Sequence, residues 1–316
     1  FPTQVECGCD GDEQGSPMEY VVSSRIEKLE TIDLGEIRRV QLLLPDHIEI
    51  EGKPYPLYDE MRPGTAFLAK PWGKRTEKLR RRMYTRSNSS CNEPGVLETF
   101  INDTHRPKAD TSMWWQSDVV DQWQAAGKLI DVRVTVDDSR GVATVYENTA
   151  VCKEANVRLE PDGEWEDRQF VCVAFGTGVT PFLSYVHYMA HQEWEKDSEK
   201  RGGHMTLIAS VRHEQQLMWH QELVNMAQRF PQHFRYVPVL TRSWPAHWVF
   251  PQGRIVRATH LPSGEEQIDV APLLELVPDF SKVDLRLCGS LTACRQLQNG
   301  LRERNIYPAT VRAESW

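Results

Sequence analysis

The feature that most constrains the fold is residues 170–175, an unbroken apolar run followed at once by Gly176-Thr177-Gly178-Val179-Thr180-Pro181. A short apolar run closed by glycines reads as a strand buried on both faces, as in parallel sheets. Pro181 suits the first turn of a helix, where its missing N–H has no partner to lose. Strand, tight turn and helix in that order open a strand–helix–strand unit. The alternation continues downstream. Helices are expected at 181–191, 217–230, 270–276 and 291–304, and strands at 205–211, 234–240, 285–288 and 310–312. Residues 193–200 read as the charged end of the first helix or as a loop. From about residue 169 the chain is expected to form a doubly wound parallel sheet.

The first half has a different texture. Short β-rich runs at 20–26, 37–44, 66–68, 97–101, 130–136 and 143–145 are punctuated by Pro, Gly, Asn and Asp. Six short strands at such spacing suggest an antiparallel barrel or sandwich. A polar, charged link at 160–168 separates the halves. The expected division is a flexible leader over 1–17, a first domain over 18–160 and a second over 161–316, and 316 residues are enough for two domains. With 40% hydrophobic and 26% charged residues, the composition excludes collagen-like, coiled-coil and wholly disordered chains. No run of 18 or more apolar residues occurs, so no membrane-spanning helix is expected. A net charge of −8 argues against default nucleic-acid binding. The seven cysteines are odd in number and irregular in spacing. They read as reduced thiols of a cytoplasm-like compartment, or of an organelle stroma if the chain is processed. Cys7 and Cys9 in the leader lack further ligands of convincing spacing. His187 and His191 at i,i+4 also lack a third ligand and are expected on a helix surface, so no metal site is expected.

Three segments carry candidate chemistry. Residues 70–82 hold Lys70, Lys74, Arg75, Lys78, Arg80, Arg81 and Arg82 against the single acid Glu77. Such a stretch is either a solvated basic loop or a dock for an acidic partner. Arg82-Met83-Tyr84-Thr85 follows, then Ser87 and further polar residues. On a strand, Arg82 and Tyr84 share a face. The guanidinium can fork onto a pyrophosphate and the ring can stack on a flat heterocycle. The turn Gly176, Thr177, Gly178 before Pro181 brings backbone N–H groups and a helix N-terminus to one place, which suits a dinucleotide phosphate.

Together these residues resemble the ferredoxin–NADP⁺ reductase superfamily. Two further anchors support the likeness. Leu287-Cys288-Gly289-Ser290 is similar to that family's Cys-Gly-Pro motif with Ser290 in place of Pro, and Glu314-Ser315-Trp316 is similar to its Glu-x-aromatic terminus. The resemblance implies a flavin-binding barrel followed by an NADP-binding domain. It also implies that Arg82 holds the flavin phosphates, that Tyr84 stacks on one flavin face, that Thr85 lies near the flavin N5, and that Ser87 is a further flavin contact. Trp316 would cover the other face and move aside for nicotinamide. Cys288 would stand near the hydride path and Glu314 would relay protons, with Gly289 beside the nicotinamide.

Ser210 and Arg212 end the second strand of the C-terminal half, where such folds receive the adenosine ribose. With no Asp or Glu at that strand end, they favour a 2′-phosphate, hence NADPH. Arg242 and Arg254 are further phosphate candidates. The Lys-x-Tyr cluster of plant-type members is missing, and Gln252-Gly253-Arg254-Ile255 stands there instead. Residues 88–128 depart most from the family. Thr111 and Ser112, read as hydroxyls ahead of a helix, are the candidates for a second flavin-phosphate contact. Of Trp114, Trp115 and Trp123, at least two are expected in the core. FAD rather than FMN follows from the terminal aromatic subgroup of the family. No Cys cluster for a fused iron–sulfur domain is present.

The expected function is a monomeric FAD enzyme passing electrons between NADPH and a ferredoxin or flavodoxin docked near Lys70, Lys74, Arg75 and Lys78. Two alternatives stand beside it: an NADH-dependent reductase component of an oxygenase system, and a redox-silent interaction protein that keeps the fold.

Overall fold

The structure, a computed structural model, describes residues 20–32, 36–57, 63–89, 91, 93–102, 110–148, 169–194, 204–264 and 266–315. Cys7, Cys9, the 160–168 link and Trp316 lie outside the described residues. The chain divides into two compact units, Phe1–Asn148 and Thr149–Trp316. Among the described residues, no helix is long and apolar enough to cross a membrane.

The first unit is built on an antiparallel sheet. Its strand order is Tyr146–Asn148, Thr65–Ala69, Leu129–Asp137, Tyr20–Ile32, Ile37–Leu43 and Val96–Asn102. Two more strands attach beside this path. Val142–Thr144 pairs with Leu129–Asp137, and Arg82–Thr85 with Thr65–Ala69. The sheet therefore has eight strands rather than six. The expected 143–145 run is broken at Val145 into two short strands, and the Arg82–Thr85 edge adds another. Side-chain alternation explains the pairing. On Tyr20–Ile32, Val22, Ser24 and Ile26 turn inward while Arg25 and Glu27 face out. Val22, Ile26, Leu42, Leu97 and Val132 form the core together with the fully buried Trp114 and Trp115. The expectation of two core tryptophans holds, and Trp123 is only partly buried.

The second unit is a five-stranded parallel sheet in the order Phe234–Leu240, His204–Val211, Gln169–Phe175, Val283–Gly289, Thr310–Ser315. The apolar 170–175 run is the central strand, flanked in parallel by both neighbours along its length. The chain steps outward from it on one side, then returns to fill the other. That reversal places the topological switch point between Gln169–Phe175 and Val283–Gly289. Helices Thr180–Met189, His220–Arg229, Ala271–Leu276 and Leu291–Glu303 connect the strands. Helix Leu291–Glu303 buries Cys294, Leu297 and Leu301 on one face. The final strand runs on to Ser315, beyond the expected 312, because each residue from Thr310 finds a parallel partner on Val283–Gly289.

Two local expectations change. The expected 217–230 helix starts only at His220. Glu214–Gln216 forms a 3₁₀ turn before it, and Trp219 takes a left-handed backbone at φ 55°. Helix Thr180–Met189 ends earlier than expected and widens into a π-turn, Ala190–Trp194. That turn stacks Trp194 on Phe234 at 5.5 Å. His187 is not on a helix surface. It is buried, edge-on to Trp219 with ring centroids 4.3 Å apart, and burial pushes its pKa down to about 4. The start of helix His220–Arg229 covers it, with Trp219 and Glu222 against the imidazole.

Candidate active site

In the second unit the candidate residues meet at the carboxyl ends of the central strands. Gly176–Val179 forms one 3₁₀ turn directly after the central strand. The Thr180 hydroxyl donates to the Thr177 carbonyl at 2.6 Å, and Pro181 opens the helix. The two glycines of the turn answer different demands. Gly176 has φ 62°, and a Cβ there would meet open space. Gly178 is a crossing point, where a Cβ would lie 2.2 Å from the Cys288 carbonyl oxygen. Gly289 completes the crossing at φ 123°, since its Cβ would lie 2.3 Å from the Phe175 carbonyl oxygen. Gly178 and Gly289 are thus needed for protein backbones to touch each other, and only Gly176 leaves room beside itself.

Cys288 is fully buried, opposite Ala174 on one side and Glu314 on the other. Parallel pairing therefore brings Cys288 and Glu314 side by side. The chain residues between them supply the helix Leu291–Glu303 and the turn back.

A second cluster forms at the ends of His204–Val211 and Phe234–Leu240. Ser210 is buried in its strand and Arg212 is half-buried. The Arg212 carbonyl accepts from the Arg242 N–H at 3.2 Å and from the Ser243 N–H at 3.3 Å. The Gly253 N–H donates to the Leu240 carbonyl at 2.8 Å, bringing Arg254 to the same end of the sheet. Three arginines distant in sequence thus converge, with Arg242 and Arg254 exposed. Gln216 holds Arg212 in place, its side-chain oxygen accepting from the Arg212 N–H at 3.0 Å. The structure also adds residues the sequence did not single out. Glu214, two residues past Arg212, faces His247 at 3.2 Å, and His213 faces Ser243 at 2.6 Å. The exposed Trp244 sits in the Arg242 loop.

In the first unit the candidate strand is Arg82–Thr85. Arg82 and Tyr84 share one face and the exposed Met83 the other. Tyr84 is held from behind. The Trp115 Nε1–H donates to the Tyr84 oxygen at 3.0 Å, and the Thr111 hydroxyl also hydrogen-bonds it. Trp115 meets the ring edge-on at 88°, and Phe67 packs beside it at 5.7 Å. Burial pushes the phenol pKa up to about 12, against the opposing pull of Trp115, Thr111 and Arg82.

Thr111 and Ser112 are not ahead of a helix. They lie inside the short helix Asp110–Trp115, and Thr111 is buried against Tyr84. The start of that helix is filled by the chain itself. The Asp110 carboxylate accepts from the Arg75 N–H at 2.5 Å and the Thr76 hydroxyl at 2.6 Å, so the basic hairpin Trp72–Gly73/Lys78–Leu79 wraps around it. Gly73 makes room, since a Cβ there would lie 2.3 Å from an Asp110 carboxylate oxygen. Ser87 is likewise engaged internally. It is fully buried and donates to Glu98 at 2.7 Å. Glu98 also accepts from Arg39 at 2.6 Å and Gln41 at 2.8 Å. Burial raises the Glu98 pKa, opposed by those partners. Lys74, Arg75, Lys78, Arg80 and Arg81 are exposed.

Residues 172–271 match the family model of the oxidoreductase NAD-binding domain. No curated protein matches the chain. Among solved structures, the cytochrome P450 reductase of Amycolatopsis is similar with a TM-score of 0.59 at 17% identity, over 98% of this chain and 73% of that one. A Malassezia yamatoensis flavohemoglobin with bound FAD and heme is similar at TM-score 0.61 and 16% identity. This chain is covered over 93% and spans 60% of the flavohemoglobin. A variant of the Plasmodium falciparum ferredoxin–NADP⁺ reductase with 2′P-AMP gives 0.56 at 13% identity, over 93% of this chain and 96% of that one. The antiparallel sheet, the five-stranded parallel sheet and the matched NAD-binding segment together give this chain the fold of the ferredoxin–NADP⁺ reductase superfamily.

Proposed function

We propose that the chain is an FAD-dependent oxidoreductase that moves electrons between NADPH and a one-electron carrier, a ferredoxin or flavodoxin. The observation that carries this reading is the sheet's switch point. Open parallel sheets bind ligands outside the carboxyl ends of their strands where the order reverses. Here that place holds the open Gly176 turn, Cys288 and its neighbour Glu314. The residues fit both cofactors. Gly176 leaves room for a ligand at the switch point, and Tyr84 is a fixed ring beside Arg82 on one strand face.

When bound, FAD supplies a ring that takes a hydride and gives up electrons singly. The chain's own part is to bind and orient. Arg82 would neutralise the flavin phosphates, with Tyr84 against one ring face and Thr85 nearby. Gly176, Thr177, Gly178 and Pro181 would seat the nicotinamide dinucleotide's phosphates. Cys288 and Gly289 would border the nicotinamide, Glu314 would hold a proton beside it, and Trp316 would cover the remaining flavin face. Ser210, Arg212, Arg242 and Arg254 would receive a 2′-phosphate. Lys70, Lys74, Arg75 and Lys78 would steer an acidic carrier.

A specific observation favours a second reading. Glu214 shares its loop with Arg212, and a carboxylate there suits a free ribose 2′-hydroxyl. That would make the nucleotide NADH and the chain a reductase component serving a dedicated partner. The test is kcat/KM for both nucleotides in the wild type and Arg212→Ala. The first reading expects NADPH use to fall about tenfold or more, the worth of one charged hydrogen bond, with NADH little changed. Equal losses for both nucleotides overturn the NADPH assignment.

A further inference from the structure

Tyr84 is the aromatic ring proposed to face the flavin, and its support comes from Thr111 and Trp115, 27 and 31 residues further along the chain. Thr111 and Trp115 are four apart on helix Asp110–Trp115, so they lie on one helix face and reach the same target. Both contact the Tyr84 oxygen, Trp115 with its indole N–H. The helix itself cannot slide. Asp110 ties its first turn to Arg75 and Thr76, and Gln116 just beyond its end donates to the Ile101 carbonyl at 2.9 Å.

The neighbouring tryptophan shows that this hydrogen bond is not a by-product of packing. Trp114 is as buried as Trp115 and meets it edge-on at 4.9 Å, yet its Nε1 has no hydrogen-bond partner among the described residues. Of these two equally buried indoles, only Trp115 hydrogen-bonds the tyrosine, while Trp114 meets Trp123. Trp115 does so with the two rings, its own and that of Tyr84, nearly perpendicular, at 88°. Phe67, opposite Tyr84 on the paired strand Thr65–Ala69 and 5.7 Å away, limits rotation of the ring from that side.

We infer that Trp115, assisted by Thr111, is a positioning residue that locks the Tyr84 ring in the orientation a flavin stacks upon. The inference rests on the proposed flavin function. A ring already fixed loses no rotational freedom when a ligand stacks on it, so its contribution to binding is kept. Without the lock, the ring samples other rotamers and both affinity and stacking suffer.

The experiment titrates FAD into purified full-length chain and reads the dissociation constant and the quenching of flavin fluorescence, for wild type, Trp115→Phe, Trp114→Phe, Thr111→Val and Tyr84→Phe. Trp115→Phe is expected to weaken FAD about fivefold, the worth of one hydrogen bond, and to reduce quenching. Trp114→Phe removes similar buried volume but no hydrogen bond, so it should leave both readouts near wild type while lowering thermal stability as much. In the Tyr84→Phe background, Trp115→Phe should add no further loss. Thr111→Val, nearly the same shape, tests the second contact should Trp115→Phe fail to fold, and should weaken FAD severalfold. Equal FAD binding by Trp115→Phe and Trp114→Phe, or a full further loss in the Tyr84→Phe background, overturns the lock while leaving the flavin function standing. A wild-type chain that binds no FAD overturns the flavin function and the lock with it.

Discussion

The two candidate regions are built by different means. In the second unit, the site is made of backbone. Strand ends, one turn and two glycine crossings set its shape, and no side chain has to reach far. In the first unit, it is made of side chains borrowed from elsewhere. Strand Arg82–Thr85 is a short edge, and its Tyr84 ring and the adjoining basic hairpin are both held by helix Asp110–Trp115. Backbone-built sites are rigid because close-packed main chain has few alternative arrangements. Side-chain-built sites depend on individual hydrogen bonds of about 1 kcal/mol each, and can be loosened one contact at a time.

The sharpest way to break this contrast is at the glycines. Gly289→Ala meets the Phe175 carbonyl at a positive φ, and Gly178→Ala meets the Cys288 carbonyl. Neither obstacle is a flexible side chain, so each should cost about 3 kcal/mol, Gly289→Ala the more. Gly176→Ala has open space and only its backbone conformation to strain, so about 1 kcal/mol is expected. Urea unfolding of the three variants gives the order directly. A cost at Gly178 no greater than at Gly176 would mean that the backbones do not cross as described.

The second effect concerns acid stability. His187 is held down to about 4 by burial, whereas an unfolded imidazole titrates near 6.5. The unfolded chain therefore binds the extra proton, and stability falls as pH drops from about 6.5 to about 4. The shift corresponds to about 3 kcal/mol over that window. His187→Gln should remove this portion of the pH dependence, measured as the difference between unfolding free energies at pH 7 and pH 4.5. An unchanged difference would place the acid sensitivity elsewhere.

The smallest effect tests the borrowed support. Asp110→Ala should free the basic hairpin without unfolding the sheet. Trypsin is then expected to cut after Lys74 or Arg75 severalfold faster than in the wild type. A carrier reduced through that hairpin should show a two- to threefold lower kcat/KM, on the order of a lost exposed ion pair or less. Unchanged cleavage would show that Asp110 is not what fixes the hairpin. The Asp110 pKa is lowered: burial opposes the shift, but the Thr76 hydroxyl, the Arg75 and Thr76 N–H groups and Arg80 outweigh it. The clasp is thus complete above the ordinary Asp range and is lost as pH falls through the depressed value.

Legibility followed the same division. The central strand, its glycine turn and the Pro181 helix could be read from 12 consecutive residues, 170–181, because each demand is local. An apolar run needs two-sided burial, a turn needs positive φ, and a helix start tolerates proline. What could not be read was the reason for Gly178 and Gly289, since the atoms they make room for lie more than 100 residues away in sequence. In the first unit, the sequence showed Arg82 and Tyr84 on one strand face but misjudged Thr111, Ser112 and Ser87. Their hydroxyls looked available because nothing local occupies them; Tyr84 and Glu98 take up two of them across the fold. His187 was misread for a related reason, as a helix-surface position, because the residues that cover it, Trp219 and Glu222, lie more than 30 positions on.

By itself, then, the sequence determined the fold class: period-two runs for an antiparallel sheet, continuous apolar runs for a parallel one, and the order of elements that sets the switch point. These follow from local periodicity and backbone chemistry. Only the tertiary structure decided which polar groups are already taken. It tied Trp115 to Tyr84, Asp110 to the basic hairpin, and Arg212 to the Arg242 loop. The physical reason is that a hydrogen bond needs its partners within about 3 Å, and that proximity is a property of the folded chain.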